Sequence, residues 1–478
     1  MQVVKPITRN MKKYIISMSV LLCACLTGAQ AQSYGSSAAN GGEHSYIYRI
    51  QLRDKAGTMN IKKPQKFLSK KALDRRQRQG LSVDSTDLPV SPVYLKAIGS
   101  VPGVTVIGHS RWLNTALVWV NDTSLIAQVR QLDGVTGSKR VWVSRGNEYD
   151  LSERARYVTD FNPKDTVPHS YYGASANQIA VLGGDSLHRA GFRGKGMTIA
   201  IIDGGFKNAD VVPAFHNTTV LGTRDFVYPP SNNIYYETSH GASVLSIIGS
   251  NIKDVYVGTA PEAEFWLLRS EDGRSEQEVE EDHWVMAAEF ADSVGVDVIN
   301  TSLGYGEFDD PSTNHRYYEL DGQTCFASRA ASMLAAKGII LVNSAGNSGD
   351  EPWKKITVPA DADHVLTVGA LTRTLQNANF SSIGPSQDGR VKPDVMAIGN
   401  PVALIDGSGE IAYHSGTSFS SPTICGLVVC LWQALPQLNA FQIMQLVRET
   451  GDRFTHPDNI YGYGTPDFWQ AYQRGKAQ

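Results

Sequence analysis

Cysteine is scarce in this chain, with five in 478 residues, and histidine numbers only eleven. Residues so few and so scattered exclude a zinc array and a small scaffold built on disulfides. H-E-x-x-H and the EF-hand loop are both missing, so no metal centre is indicated. Past the N-terminus no stretch reaches the roughly 18 consecutive apolar residues of a membrane helix. Net charge is small as well, −3 at pH 7, which excludes nucleic-acid binding by bulk electrostatics. The 44 Gly and 21 Pro follow no Gly-X-Y period; they imply many tight loops instead of a collagen helix. What remains is a globular balance, 42% hydrophobic and 19% charged, at a length that predicts two or three domains.

The N-terminus has its own signature. Lys5, Arg9, Lys12 and Lys13 precede an apolar run from Tyr14 to about Leu26, which ends at Ala29-Gln30-Ala31. A basic flank, a short apolar core and a small-x-small site together predict a signal peptide over residues 1–31. Met11 serves equally well as the start. The chain is therefore expected to be exported, to a periplasmic, outer-membrane-associated or extracellular location. Leu22-Cys23-Ala24-Cys25 is similar to a bacterial lipobox and would leave a lipid anchor on Cys25, although Cys23 stands where that motif has a small residue such as Ala or Ser. Cys325, Cys425 and Cys430 remain after export. Cys425 and Cys430, five apart on one expected helix, point to different faces and should not bridge; all three read as small buried hydrophobes.

Composition divides the rest. Residues 32–44 are a Ser/Gly/Ala-rich linker. Residues 45–148 read as a small α+β unit with one antiparallel sheet and helices on one face: strand-like 46–52, 104–107, 116–120 and 139–143, a helix over 66–79, and another running from an Asp122 cap to Leu132. Residues 149–175 form a polar connector that looks exposed and cleavable. Residues 176–478 alternate strand runs (197–202, 265–268, 296–299, 338–342, 365–368) with helical ones (240–248, 276–294, 327–337, 417–435), which predicts a mostly parallel sheet with helices on both faces. Ser275 with Glu278 reads as a capping box for the second of those helices. The acidic run Glu276–Asp282 reads as a solvated face, as do most of Lys70, Lys71, Arg75, Arg76 and Arg78. From Ser45 to Glu148 there are 17 Lys/Arg against 7 Asp/Glu, or +10; from Tyr149 onward 23 against 39, or −16. The two parts should attract each other, which orients their docking.

Chemistry in such a sheet gathers at the carboxyl ends of the strands. Asp203 follows the run ending at Ile202, His240 opens a helix, Asn347 lies in Ser344-Ala345-Gly346-Asn347, and Ser418 sits where a Gly-containing turn enters an apolar helix. Alone, each has a plain structural explanation as a cap, a turn residue or a core hydrogen-bonder. Together they are the four groups acyl transfer needs: nucleophile, base, carboxylate to orient the base, and oxyanion donor. The order Asp…His…Ser is that of subtilisin among serine hydrolases, and Ser420 replaces the second glycine of a G-x-S-x-G elbow, which sets the esterase reading aside.

At Ile201-Ile202-Asp203-Gly204-Gly205, His240-Gly241, Ser344-Ala345-Gly346-Asn347 and Gly416-Thr417-Ser418-Phe419-Ser420-Ser421-Pro422 the chain resembles the subtilisin-like serine proteases. The resemblance implies a subtilisin-like fold over most of residues 176–475 and a catalytic set of Asp203, His240 and Ser418 with Asn347 at the oxyanion. It further implies polypeptide substrates paired along Ser302-Leu303-Gly304, and a pocket walled by Ser344, Ala345 and Gly346. The basic unit at 45–148 is similar to the family's propeptide, so the enzyme's own N-terminal part is expected to inhibit it. No cofactor is required; structural calcium is frequent in the family, without ligands designated here. Gly204 and Ala242 depart from the family's usual Ser/Thr and Thr. A pseudoprotease or peptide-binding protein, and a transpeptidase on the same fold, are the alternatives.

Overall fold

A computed structural model describes residues 44–144, 170–231 and 233–477. The expected signal peptide, Cys25 and nearly all of the connector lie outside the described residues.

The N-terminal unit comprises β1 (Tyr46–Leu52), α1 (Lys70–Arg78), α2 (Pro92–Gly99), β2 (Thr105–Ser110), β3 (Thr115–Val120), α3 (Leu125–Arg130) and β4 (Val135–Val143). Its sheet runs β2-β3-β1-β4, antiparallel throughout. Ile50, Val118 and Val120 pack on one face against Tyr94 and Ile98 of α2 and Ile126 and Val129 of α3. Helix α2, absent from the sequence reading, starts at Pro92 behind Ser91, whose hydroxyl accepts from the Tyr94 N–H; Ser-Pro at a helix start was a legible signal. Helix α3 begins one turn after Asp122, which accepts from the Ser124 N–H instead of capping the helix itself.

The larger unit opens with two short helices, α4 (Ala176–Ala180) and α5 (Gly184–Arg189), then β5 (Thr198–Asp203), β6 (Thr219–Asp225), α6 (His240–Gly249), the short strands β7 (Asn251–Ile252) and β8 (Tyr256–Val257), and β9 (Glu264–Arg269). It continues with α7 (Val279–Val294), β10 (Val298–Thr301), α8 (Phe326–Met333), β11 (Ile340–Ser344), β12 (Leu366–Thr372) and β13 (Val395–Asn400). A hairpin of β14 (Val402–Ile405) and β15 (Ile411–His414) leads to α9 (Thr417–Ala434), α10 (Ala440–Glu449) and α11 (Phe468–Lys476). Seven strands form one parallel sheet ordered β13-β12-β11-β10-β5-β9-β6. The period of two along β5 divides the core: Ile199 and Ile201 share a cluster with α6 and α9, while Ala200 and Ile202 share another with α7 and α8. Both faces are covered, so these strands are continuous apolar runs. Among the described residues no helix is long and apolar enough to cross a membrane.

Helix α7 overturns two expectations. It starts at Val279, with no side-chain cap from Ser275. Its acidic residues are not a solvated face, since Glu278, Glu280, Glu281 and Asp282 are all buried. On α1, Lys70 and Arg78 are exposed and Lys71 half-buried, as expected of most of that basic cluster, while Arg75 and Arg76 are buried against α7. Glu280 and Glu281 are buried by their own unit, beside the Asp272 N–H and against His315 and the Ala327 N–H; elsewhere on the helix the second face of the N-terminal sheet docks, Ile47, Leu117 and Val141 close over Val279, and opposite charges meet. Asp292 accepts from Arg75 at 2.5 Å, Arg111 at 2.8 Å and Arg76 at 3.0 Å. Glu289 accepts from Ser110 Oγ and from the N–H groups of Arg111 and Trp112, and Arg49 pairs with Asp282. Burial alone would raise the Asp292 carboxyl, but the three guanidinium groups hold it down at about 2.

A depressed carboxyl stabilises docking at every pH above its ordinary value near 4 and loses that contribution only as pH falls toward 2. Removing one partner of a buried pair costs about 3–5 kcal/mol, because the others stay buried without it. Asp292→Asn should therefore detach or loosen the N-terminal unit at pH 7, measured as faster limited proteolysis of residues 45–144 and a lower denaturation midpoint. Lys70→Ala, which removes an exposed pair with Asp74, should change the free energy of unfolding by less than about 0.5 kcal/mol.

Candidate active site

Asp203 is the last residue of β5 and His240 the first of α6. His240 Nδ1 lies 2.9 Å from both carboxylate oxygens of Asp203, and the Gly204 N–H donates to Asp203 Oδ1 at 2.8 Å. Asp203 is 1% exposed, whereas the His240 side chain is 34% exposed. The ring is thus anchored on its buried edge and open on the other. Glycine makes the approach possible: a Cβ on Gly241 would stand 2.5 Å from the Gly205 oxygen and 3.0 Å from Asp203 Cβ. The Gly241 N–H also donates to that Gly205 oxygen, at 3.0 Å. Burial lowers the affinity of His240 for a proton, but the Asp203 charge and hydrogen bond outweigh it and the imidazole pKa is raised.

Ser418 is the second residue of α9, and the Phe419 ring beside it packs 5.6 Å from the His240 ring. Its Oγ donates to the Ser302 carbonyl at 3.2 Å, and no hydrogen bond joins it to His240. Asn347 is exposed; its Oδ1 accepts from the Thr417 N–H at 2.9 Å and from Thr417 Oγ1 at 3.0 Å. With Oδ1 engaged in this way, the amide Nδ2 has no protein acceptor. The first-turn N–H of Thr417 is met by Asn347 and that of Phe419 by the Gly416 carbonyl, while that of Ser418 has no acceptor. An unpaired helix-start N–H and a free carboxamide side by side are what an anionic oxygen needs.

The residues expected along the cleft fall around this centre. Ser302 is buried, Leu303 half-buried and Gly304 exposed. A Cβ on Gly304 would stand 2.0 Å from Thr357 Oγ1, so only glycine fits between the strand and that hydroxyl. Ser344 and Ala345 are buried in the end of β11, and only Gly346 of the expected pocket wall is partly open. Ala242 is wholly buried in the core under α6. A Cβ on Gly204 would come within 3.3 Å of Thr238 Oγ1 and 3.4 Å of Glu271 Cβ, so the space a Ser or Thr would take is already walled.

Glu271 was missed by the sequence reading, although it stands just past the carboxyl end of β9, where functional groups gather. It accepts from Ser270 Oγ at 2.6 Å and from the Tyr305 hydroxyl at 2.8 Å. Burial pushes its pKa up to about 8, with Glu276 and Asp203 adding to the rise. Glu280, raised well above the ordinary carboxyl range by burial and by Glu271, keeps Oε2 without a partner. A raised carboxyl favours the folded state fully below its unfolded value near 4.3, and that contribution is lost as pH rises through about 8. Glu271→Gln should flatten the fall in thermal midpoint between pH 5 and 9; a midpoint curve parallel to that of the unmodified chain would contradict this.

Comparisons with known proteins place the chain in a family. Residues 194–464 match the model of the Subtilase family, and residues 47–156 match the Peptidase S8 propeptide domain, Bacteroidota. Subtilisin NAT of Bacillus subtilis subsp. natto is 26% identical over 305 residues, covering 63% of this chain and 71% of the relative. Subtilisin DY of Bacillus licheniformis is 29% identical over 296 residues, 60% of this chain and 94% of the relative. Serine protease AprX of Bacillus subtilis (strain 168) is 28% identical over 303 residues, 57% and 65%. With more than half its length matched to that model and a propeptide domain ahead of it, the chain belongs to the subtilase family, serine endopeptidases, and is made as a precursor.

Proposed function

We propose that the chain is an exported endopeptidase that cuts polypeptides through an acyl-enzyme, with Ser418 as nucleophile, His240 as base and Asp203 as its orienting carboxylate. The observation that carries the reading is the Asp203–His240 pair, buried on the carboxylate side with the imidazole side chain 34% exposed. Ser418 Oγ leaves the Ser302 carbonyl by rotation about its side chain, gives its proton to His240 Nε2 and bonds to the scissile carbonyl carbon. Asp203 holds the tautomer with the proton on Nδ1 and stabilises the imidazolium. The oxyanion is met by the Asn347 carboxamide and the Ser418 N–H. Collapse expels the amine, which takes the proton from His240, and water resolves the ester by the same route in reverse. Substrate lies extended along Ser302-Leu303-Gly304 by strand addition.

The hydroxyl of Ser418 bonded to Ser302 favours a second reading, a peptide-binding protein without turnover. Hydrogen bonds among catalytic groups often close only in the substrate complex, so a fluorophosphonate probe decides: covalent labelling at Ser418 requires an activated hydroxyl. Ser418→Ala should abolish peptide hydrolysis. Asn347→Ala should lower kcat by about 100- to 1000-fold with the probe site intact.

Precursor processing follows from the same centre. The basic N-terminal unit, seated on α7, inhibits until the connector over residues 149–175 is cut by the enzyme itself. Ser418→Ala, expressed alone, should stay at precursor size; the mature size without added protease would end the self-cleavage proposal. Because the pair with Asp203 raises the imidazole pKa, kcat/KM should fall on the acid side with a midpoint above the ordinary histidine value near 6.5, measured on the processed enzyme.

A further inference from the structure

Helix α9 contains a proline at its sixth residue, Pro422, which is buried. In a regular helix the N–H of residue 422 would bond to the carbonyl of residue 418. Proline has no N–H, so that carbonyl loses its partner. The lost donor is replaced from another element. Ser302 Oγ, just past the end of β10, donates to the Ser418 carbonyl at 2.8 Å. Asn300 Nδ2 donates to Ser302 Oγ at 3.1 Å, and Ser421 Oγ donates to Asn300 Oδ1 at 3.2 Å. The relay leaves α9 at Ser421, passes through β10 and returns to α9 at Ser418. Asn300 and Ser421 are wholly buried, and Ser302 is 4% exposed, so water does not compete for these bonds.

Each hydroxyl has one hydrogen to give. By donating to Ser302 Oγ, the Asn300 amide occupies that oxygen as an acceptor and leaves its hydrogen for the Ser418 carbonyl. We propose that Asn300 is a positioning residue for the reaction: acting through the Ser302 hydroxyl, its amide fixes the backbone of Ser418 so that the N–H and Oγ of that residue meet the same substrate carbonyl. Asn300 touches neither substrate nor the reacting atoms. The inference rests on the assignment of Ser418 as nucleophile and deepens it, giving Ser302 a side-chain role beside its place on the substrate edge.

The test uses the full chain after processing, with active sites counted by fluorophosphonate labelling so that misfolded protein does not contribute. A displacement of the order of an ångström at a reacting group costs up to about 100-fold, so Asn300→Ala should lower kcat per labelled site by roughly 10- to 100-fold and leave KM within about twofold. Asn300→Asp keeps the shape and the acceptor for Ser421 but cannot donate once ionised, which burial shifts to a pH above the ordinary carboxyl range. Ser302 Oγ would then give its hydrogen to the new carboxylate and release the Ser418 carbonyl, so kcat should fall as in Asn300→Ala. Ser302→Ala should fall likewise, and the double variant with Asn300→Ala no further, the signature of groups acting through one contact. A loss of thermal midpoint with unchanged kcat per labelled site would overturn the proposal, as would full kcat in Asn300→Asp at a pH where the new carboxyl is ionised. Hydrolysis by a chain that the probe does not label at Ser418 would remove the nucleophile assignment and this inference with it; normal labelling at Ser418 with unaltered Asn300 variants removes the inference alone.

Discussion

Parallel pairing of β5 with β10 sets Ile202 opposite Thr301. The residue that follows each is Asp203 on one side and Ser302 on the other, so the carboxylate and the proposed substrate edge emerge together at the end of the sheet. Side chains alternate along a strand, and a slip of one residue would turn both groups into the wrong layer. The register is held by the apolar residues behind it, Ile199 and Ile201 on one face and Ala200 and Ile202 on the other. Helices α6 and α9 pack on the same face and meet each other through that core, which brings His240 and Ser418 to their first turns at the same rim. Every distance in the site inherits the precision of this one pairing.

Helix α7 lies between the two units and serves both. Its first turn carries Glu280 toward Glu271 and Tyr305 at the edge of the cleft, and its length carries Asp282, Glu289 and Asp292 into the docked N-terminal sheet. A buried ionic network of this kind adds little net stability over apolar packing of the same volume. It does, however, penalise every mismatched orientation, because a carboxylate without its guanidinium is costly to bury. The apolar contacts of Trp112 and Leu113, which join the larger unit's core, supply attraction, and the charges select a single seat.

Much of this could be read from residues in order. Strand β1 falls where alternation placed it, α6 and α9 begin at the residues expected, and the four chemical groups were marked by their glycines and by their place after apolar runs. What could not be read depended on partners distant in the chain. Glu278, Glu281 and Asp282 look solvent-facing in any local window; docking covers Glu278 and Asp282, whereas Glu281 is taken up by His315 and the Ala327 N–H of its own unit, and the charge imbalance between the two parts was the available hint of the docking. Asn300 is unremarkable in a strand until Pro422 is known to leave a carbonyl without a donor. Glu271 stands outside every short motif and gains meaning from Tyr305, more than thirty positions later.

The seat on α7 has a consequence for the enzyme once its N-terminal unit has gone. On the processing proposed above, Asp292 and Glu289 would then face water without Arg75, Arg76 and Arg111, on a body whose residues from Tyr149 onward carry −16 against +10 for residues 45–148. Released fragment and enzyme are counter-ions of one another, and their long-range pull is screened within about 8 Å at physiological ionic strength. A salty medium thus slows the fragment's return far more than a dilute one, and the saltiness of the surroundings acts as a clock on how long freedom lasts.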